Sequence, residues 1–267
     1  MSTINTDLLS LDYAGKTDVG VRRTHNEDNL FLMPESGLFA VADGMGGHAS
    51  GEVASQIAVD TVQAFFRDQQ DDDDITWPYK ENPKISFAGN LLVNAVRYAN
   101  LRVFEKASEG AQFKGMGTTF VTMLFEGTSF FVAHVGDSRS YRVRDGQLSQ
   151  LTEDHSLLND YKKMAKLTPE EEKNFPHKNI IVRALGMKET VLVDLGTDSV
   201  AEGDLFLICS DGLSGEVEDD KLLELALQYW DDLDTMCDAM IQEACANGGK
   251  DNITAVIVKV VGISEDA

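Results

Sequence analysis

Residues Thr118–Gly146 read TTFVTMLFEGTSFFVAHVGDSRSYRVRDG. Three strand-like runs follow one another there: Thr118–Phe125, Ser129–Val135 and Ser140–Arg144. They are rich in aromatic and β-branched residues, and Glu126-Gly127 and Asp145-Gly146 punctuate them as turn signals. Strands that do not alternate with helices fit a doubly wound parallel sheet poorly. The rest of the chain extends this pattern. Further strand-like runs are Val19–Val21, Asn29–Met33 and Leu38–Ala42 before it, and Asn179–Leu185, Thr190–Leu195, Asp204–Cys209 and Asn252–Val261 after it.

Between them the apolar period changes to that of a helix. In Ser50–Arg67 the residues Val53, Ile57, Ala58, Val62, Phe65 and Phe66 share one face. In Phe87–Ala107 Leu91, Leu92, Ala95, Val96, Ala99, Val103 and Phe104 form a stripe. Two more helices are expected at Asp219–Trp230 and Leu233–Ala246. Strands in blocks, with two helices early and two late, predict a layered α+β domain. No repeat or flexible linker interrupts 1–267, which reads as one domain with two excursions. One is an acidic loop over residues 68–86 carrying Asp71–Asp74, Pro78 and Pro83. It is read as a solvated connection and not a calcium module, because four adjacent residues cannot all turn inward on one ion. The other is His155–Lys178, a lysine-bearing segment that departs from the strand pattern.

Apolar residues make up 43% of the 267 residues, enough for a substantial core, and the formal net charge is −22. That charge argues against nucleic acid and against an anionic membrane surface as partners. The start MSTINTDLLSLDYAG lacks a basic segment followed by an apolar block, so no secretory leader is expected. No apolar run approaches bilayer length. Three cysteines, Cys209, Cys237 and Cys245, are an odd and sparse set that suits a reducing cytoplasm.

The chemistry lies in acidic motifs spread along the chain: Glu27-Asp28 in RRTHNED, Asp43 in VADGMGG, Asp211 in CSDG and Asp251 in KDN. Three of these aspartates stand at or just beyond an apolar strand-like run, so they end at the rim of one core. Two like charges about 4 Å apart repel by roughly 4 kcal/mol at an effective dielectric near 20. Such a cluster needs cations or protons, and oxygen ligands without Cys or paired His favour Mg²⁺ or Mn²⁺ over zinc. Gly44 after Asp43 lets the backbone approach an ion and offer its carbonyl. Taken singly, Asp43 also fits a plain strand-to-helix turn, Asp137 in VGDSR a hairpin turn, and Asp251 a polar loop. Together they offer carboxylates for two metals, with room for a third. A two-metal site suits in-line attack of water on a phosphoryl group, helped by a guanidinium on the phosphate oxygens. Charge alone does not choose between Arg22 and Arg23. No Ser–His–Asp order is evident among the hydroxyls.

In order and spacing, the motifs TDVGVRRTHNED, LFAVADGMGGHASGEVAS, GMGTTFV, VAHVGDSRSYRVRDG, LTEDHS, RALG, LFLICSDGL and KDNITAVIV resemble the type 2C metal-dependent protein serine/threonine phosphatases in their bacterial form. The resemblance runs from about Thr17 to Lys259. It implies a four-layer α/β/β/α sandwich of two mostly antiparallel sheets with helices outside, and two Mg²⁺ or Mn²⁺ ions at one end. Asp43 would bridge both metals. Asp211 and Asp251 would complete one, and the Gly44 carbonyl the other, with Glu27 or Asp28 holding its waters. Asp137 and Asp211 match a pair that holds a third, weaker metal. Arg23 matches the arginine that grips the substrate phosphate, and His155–Lys178 matches a flap beside the site. Met45 stands where many eukaryotic relatives carry a histidine proposed as general acid, which leaves His48 as the nearest substitute. Asp43 and His48 are thus the catalytic candidates.

The implied reaction is hydrolysis of phosphoserine and phosphothreonine in proteins by a metal-activated water, with no phosphoenzyme. A bacterial serine/threonine kinase or its targets would be the partners of a monomeric, cytoplasmic enzyme. The rival is a non-catalytic adaptor of the same fold that binds phosphoproteins. The presence of Asp43, Asp211 and Asp251 disfavours it.

Overall fold

The computed structural model describes residues 2–6, 8–46, 50–71, 78–165, 167, 168, 170, 171, 175 and 180–264. Two antiparallel sheets form its centre. The first runs β1 (Ser2–Thr6), β2 (Leu9–Asp18), β12 (Ile253–Ile263), β11 (Leu205–Cys209), β8 (Arg139–Arg144), β9 (Gln147–Gln150) in spatial order. The second runs β10 (Asp194–Ser199), β7 (Ser129–Val135), β6 (Phe120–Glu126), β4 (Leu38–Met45), β3 (Asp28–Met33), with the two-residue β5 (Gly117–Thr118) paired to the end of β4. Helices α1 (Ser50–Asp71) and α2 (Phe87–Ser108) cover the second sheet, and α4 (Asp219–Gln228) and α5 (Leu233–Ala246) cover the first. A shorter helix, α3 (Leu157–Met164), belongs to the excursion after His155.

The near-continuous apolar runs of the inner strands follow from this layering, since side chains alternate across a strand and both faces are covered. In β4, Leu38, Ala40 and Ala42 pack under α1 and α2, while Phe39 and Val41 point between the sheets. In β11, Leu205, Leu207 and Cys209 pack under α4 and α5, while Phe206 and Ile208 point inward. Phe206 is fully buried, with its ring 4.9 Å from Phe130 and 5.2 Å from Phe125, centroid to centroid. Truncating such a ring to Ala costs about 3–5 kcal/mol. The expected four-layer α/β/β/α sandwich is what is found.

Some local expectations are corrected. Val19–Val21 is a turn, with Gly20 at φ +75°. A Cβ on Gly20 would stand 2.2 Å from the Asp251 carbonyl oxygen, so the loop and the end of the chain are in direct contact. Asn179–Leu185 forms no strand among the described residues. It makes only isolated bridges, Ile181 with Ser156 and Leu185 with Thr118. The Asn100 side chain of α2 explains part of this. It donates to the Lys188 and Glu189 carbonyls and accepts from the Gly186 N–H, and so holds the chain in a loop. The strand expected at Thr190–Leu195 begins only at Asp194. β2 was not legible in the sequence, and neither was β1. The first helix runs on to Asp71, so the acidic loop starts later than expected, and Asp72, Asp73 and Asp74 lie outside the described residues. In the excursion, Thr168 and Glu171 exchange capping hydrogen bonds, whereas Lys178 and most of 166–179 fall outside the described residues. Among the described residues, no helix is long and apolar enough to cross a membrane.

Candidate metal centre

Strand pairing brings the first two acids together. β3 and β4 are antiparallel in a register that sets Asp28 opposite Asp43. The Asp43 backbone is fixed from the other side: its carbonyl accepts from the Thr119 N–H at 2.8 Å and the Thr118 hydroxyl at 2.9 Å, and its N–H donates to Thr119 Oγ1 at 3.2 Å. Gly44 follows in a space that admits no side chain. A Cβ there would lie 2.2 Å from the Gly51 carbonyl oxygen and 2.5 Å from that of Glu27. Asp211 opens one helical turn, Asp211–Ser214, at the end of β11. Its neighbour Gly212 is pressed so close to the Asn252 carbonyl that a Cβ would sit 1.9 Å away. Asp137 projects from the β7–β8 turn and Asp251 from the residues just before β12.

These carboxyl groups meet. Asp43 and Asp211 lie close enough for their carboxyl groups to act on each other directly. Burial, then the charges of Asp28, Asp211, Asp137 and Asp251, push the Asp43 carboxyl well above the usual carboxylate range. Burial pushes Asp28 up to about 7, partly offset by hydrogen bonds from Thr254 Oγ1 (2.6 Å) and Ser210 Oγ (2.8 Å). Asp137 also rises to about 7, through burial and then the Asp211 charge. Asp211 is raised by burial and by Asp251. Glu27 is raised chiefly by burial, partly offset by the nearby Gly51 backbone N–H at the start of α1.

Two oxygens sharpen the picture. Asp28 Oδ1 and Asp137 Oδ1 are buried and have no hydrogen-bonding partner among the described residues. Buried carboxylate oxygens left unpaired are costly, and buried charges are normally paired or bound to metal. The set is all oxygen, multiply anionic and free of cysteine, which fits hard divalent cations such as Mg²⁺ or Mn²⁺.

The two arginines are also distinguished. The Arg23 guanidinium reaches in and pairs with Asp251 at 2.6 Å, and feels the charges of Glu27 and Asp43. Arg22 contributes its backbone N–H to the Gly249 carbonyl. His48 lies outside the described residues.

One residue that organises the site escaped the sequence reading. The Asn252 side chain donates to the carbonyls of Val19 (3.0 Å) and His25 (2.9 Å) and accepts from the Glu27 N–H at 2.8 Å. It pins the loop carrying Arg23 and Glu27 against the loop carrying Asp251. An amide directly after a candidate ligand in KDN was the available signal. Ser210 and Thr254, which orient Asp28, had none beyond lying beside Asp211 and within a strand.

A sequence profile described as Protein phosphatase 2C matches residues 21–255. The chain is 37% identical over 256 residues to the serine/threonine protein phosphatase PstP of Mycobacterium tuberculosis, covering 95% of this chain and 46% of that protein; it thus spans about half the length of that relative. It is 34% identical over 250 residues to the serine/threonine phosphatase stp of Listeria monocytogenes, covering 91% and 94%. The solved catalytic domain of PstP in complex with two manganese ions matches it with a TM-score of 0.77 at 37% identity, covering 94% of this chain and 98% of that one.

Proposed function

This chain belongs to the protein phosphatase 2C family, and on that footing we propose that it is a Mg²⁺- or Mn²⁺-dependent hydrolase of phosphoserine and phosphothreonine in proteins. The observation that carries the proposal is the convergence of Asp28, Asp43, Asp137 and Asp211 into one mutually repelling, buried cluster, with Arg23 and Asp251 at its edge. The two manganese ions of the solved PstP domain support a two-metal site here. In this proposal Asp43, Asp211 and Asp251, with the Gly44 carbonyl and Glu27 or Asp28, hold two cations. Asp137 and Asp211 hold a weaker third. Bound divalent cations supply the activation of water and the positive charge that in-line phosphoryl transfer requires.

The chain's own residues do the rest. Asp43 has its backbone tied on both sides, so its carboxylate is held in place before any ligand arrives. Arg23 waits on Asp251, half-exposed at the rim, and turns its planar guanidinium to two phosphoryl oxygens when substrate arrives. Ser210 and Thr254 fix the Asp28 carboxylate on one oxygen and leave the other buried without a hydrogen-bonding partner among the described residues. Met45 cannot move a proton, so His48 is the proposed donor to the leaving alkoxide. We also propose that residues 1–267 form one catalytic domain, acting as a cytoplasmic monomer on the targets of a serine/threonine kinase.

The test is hydrolysis of a phosphothreonine peptide with Mn²⁺ by the wild type and by Asp43→Asn. The variant removes a negative charge from the centre of the cluster and is expected to lose at least about a hundredfold in kcat. Wild-type rates from the variant, or no hydrolysis by the wild type with either cation, would end the assignment.

A further inference from the structure

Behind the carboxylate cluster, His155 forms a joint between the flap root and the Asp137 turn. It is buried at 4% exposure, and it is tied to Gly136 twice. Its backbone N–H donates to the Gly136 carbonyl at 2.9 Å, and its ring Nδ1 accepts the Gly136 N–H at 3.0 Å. Gly136 itself cannot shift freely. It sits at φ +118°, and a Cβ would lie 2.5 Å from Thr119 Cβ. The next residue is Asp137, and the one after, Ser138, hydrogen-bonds Thr119 at 2.7 Å, the residue that also grips the Asp43 backbone. On its other side His155 Nε2 lies 3.2 Å from Asp194 Oδ2 at the start of β10 and 3.0 Å from Arg183 Nη1. The His155 carbonyl accepts from the Val182 N–H, and Ser156 bridges Ile181, so this residue marks where the excursion leaves and rejoins the domain.

The polarity of these bonds fixes the ring. Arg183 Nη1 carries two hydrogens, and Asp194 Oδ1 (2.6 Å) and the Leu192 carbonyl (3.2 Å) take both. Its 3.0 Å contact with His155 Nε2 could be a donated hydrogen bond only if Nε2 carried no proton. Nδ1 must have its lone pair free for the Gly136 N–H, so the proton of the neutral imidazole is on Nε2 and points to Asp194. His134, stacked on the same ring at 4.6 Å and oriented by the Glu153 carbonyl, completes a His134–His155–Asp194 group whose atoms are close enough to suggest a metal. The bonding excludes His155 as a ligand there, because neither ring nitrogen has a free lone pair, and Arg183 already supplies the cation.

We propose that His155 is a positioning residue. By holding the Gly136 N–H on Nδ1 while Asp194 holds Nε2–H, it sets the Asp137 carboxylate relative to Asp211 and so the affinity of the weaker cation position. The proposal rests on the metal-dependent reading above and adds to it the element that couples the flap root to that position.

Two substitutions separate the two ends of the ring. In His155→Asn the amide oxygen falls near the place of Nδ1 and can still accept the Gly136 N–H. In His155→Gln the amide nitrogen falls near Nε2 and keeps Asp194 but leaves Gly136 without its acceptor. Metal-free proteins are titrated with Mn²⁺ by calorimetry and by electron paramagnetic resonance, so the readout does not depend on turnover. The expected result is tight-site binding unchanged in both, weak-site affinity within about twofold of wild type in His155→Asn, and a loss of about tenfold in His155→Gln. In kinetics, His155→Gln should require more Mn²⁺ for half-maximal rate while its KM for peptide at saturating metal stays put. Equal weak-site affinity in all three proteins, or equal loss in both variants, overturns the proposal. Wild type that binds no Mn²⁺ at all overturns the phosphatase reading, and this proposal with it. If His155→Gln fails to fold, imidazole ¹⁵N shifts of the wild type decide the premise: the Nε2–H tautomer between pH 6 and 8 supports it, and Nδ1–H overturns it.

Discussion

Stripping divalent ions from the protein and raising the pH should destabilise it, and the size of the effect can be worked from the carboxyl cluster. In the metal-free fold Asp28 and Asp137 titrate at about 7, against about 3.9 in an unfolded chain. Between those values the folded state holds more protons than the unfolded one, so stability falls as pH rises. The sign reverses for His134 and His155, which burial holds below their free value, His155 at about 4. Their contribution is lost as pH falls. Between pH 6.5 and 8 the two carboxyls are still losing protons, while the unfolded histidines, half protonated at pH 6.5, give back about 0.4 kcal/mol each. Each carboxyl loses about 0.8 kcal/mol over that span, about 1.6 kcal/mol for the pair, so the net loss after the histidine gain is about 0.8 kcal/mol, and Asp43, also raised, acts in the same direction. For a chain of this size that is a fall in Tm of roughly 2–3 °C.

The assay is differential scanning fluorimetry in EDTA across this pH range, repeated with Mn²⁺ at about 100 times its Kd. The metal run should gain about 2.7 kcal/mol, and its pH dependence should flatten or invert, because cations bind the deprotonated carboxylates. Asp28→Asn should remove about half of the carboxyl contribution to the metal-free slope. A metal-free Tm that ignores pH between 6.5 and 8, or a Tm that ignores Mn²⁺, would refute the idea that these acids are crowded enough to need cations.

Three further outcomes follow from the same geometry. Arg23→Ala should raise KM for a phosphopeptide roughly 10–100-fold, the worth of a charge-assisted hydrogen bond, with a smaller change in kcat; steady-state kinetics at saturating Mn²⁺ would expose an Arg23 that points elsewhere as an unchanged KM. Asn252→Ala strips the Val19 and His25 carbonyls and the Glu27 N–H of their partner, so urea unfolding should show a loss of about 2 kcal/mol and kinetics a raised KM, because Arg23 rides on that loop. Gly44→Ala forces a Cβ to within 2.2 Å of the Gly51 carbonyl oxygen; a loss of about 1–3 kcal/mol or more is expected in thermal unfolding, together with weaker Mn²⁺ binding, and normal values for both would mean that the backbone there yields.

Much of this protein could be read without coordinates where local physics decides. The turns at Glu126-Gly127 and Asp145-Gly146, the helices with a single apolar face, and the doubly covered strand Leu205–Cys209 all state their own conformation, since period and turn chemistry are properties of neighbours in the chain. Asp43 and Asp211 could be picked out at the ends of strand-like runs, and Asp251 just before the closing one, for the same reason. Sequence did not show that β2 exists, because Leu9–Asp18 carries only a weak alternation and is stabilised by pairing with β12 from the far end of the chain. It also misjudged Asn179–Leu185, whose apolar residues suggested a strand but whose described backbone makes only isolated bridges to Ser156 and Thr118, just before Asn100 takes the Gly186 N–H. The pairing of Arg23 with Asp251, the clamp of Asn252, and the ring of His155 between Gly136 and Asp194 are facts of the tertiary structure alone. Each is a hydrogen bond or ion pair across a long stretch of sequence, and such a bond depends on where two distant backbones come to rest. Composition and spacing fix which groups are available, but the fold decides which of them are within 3 Å of one another.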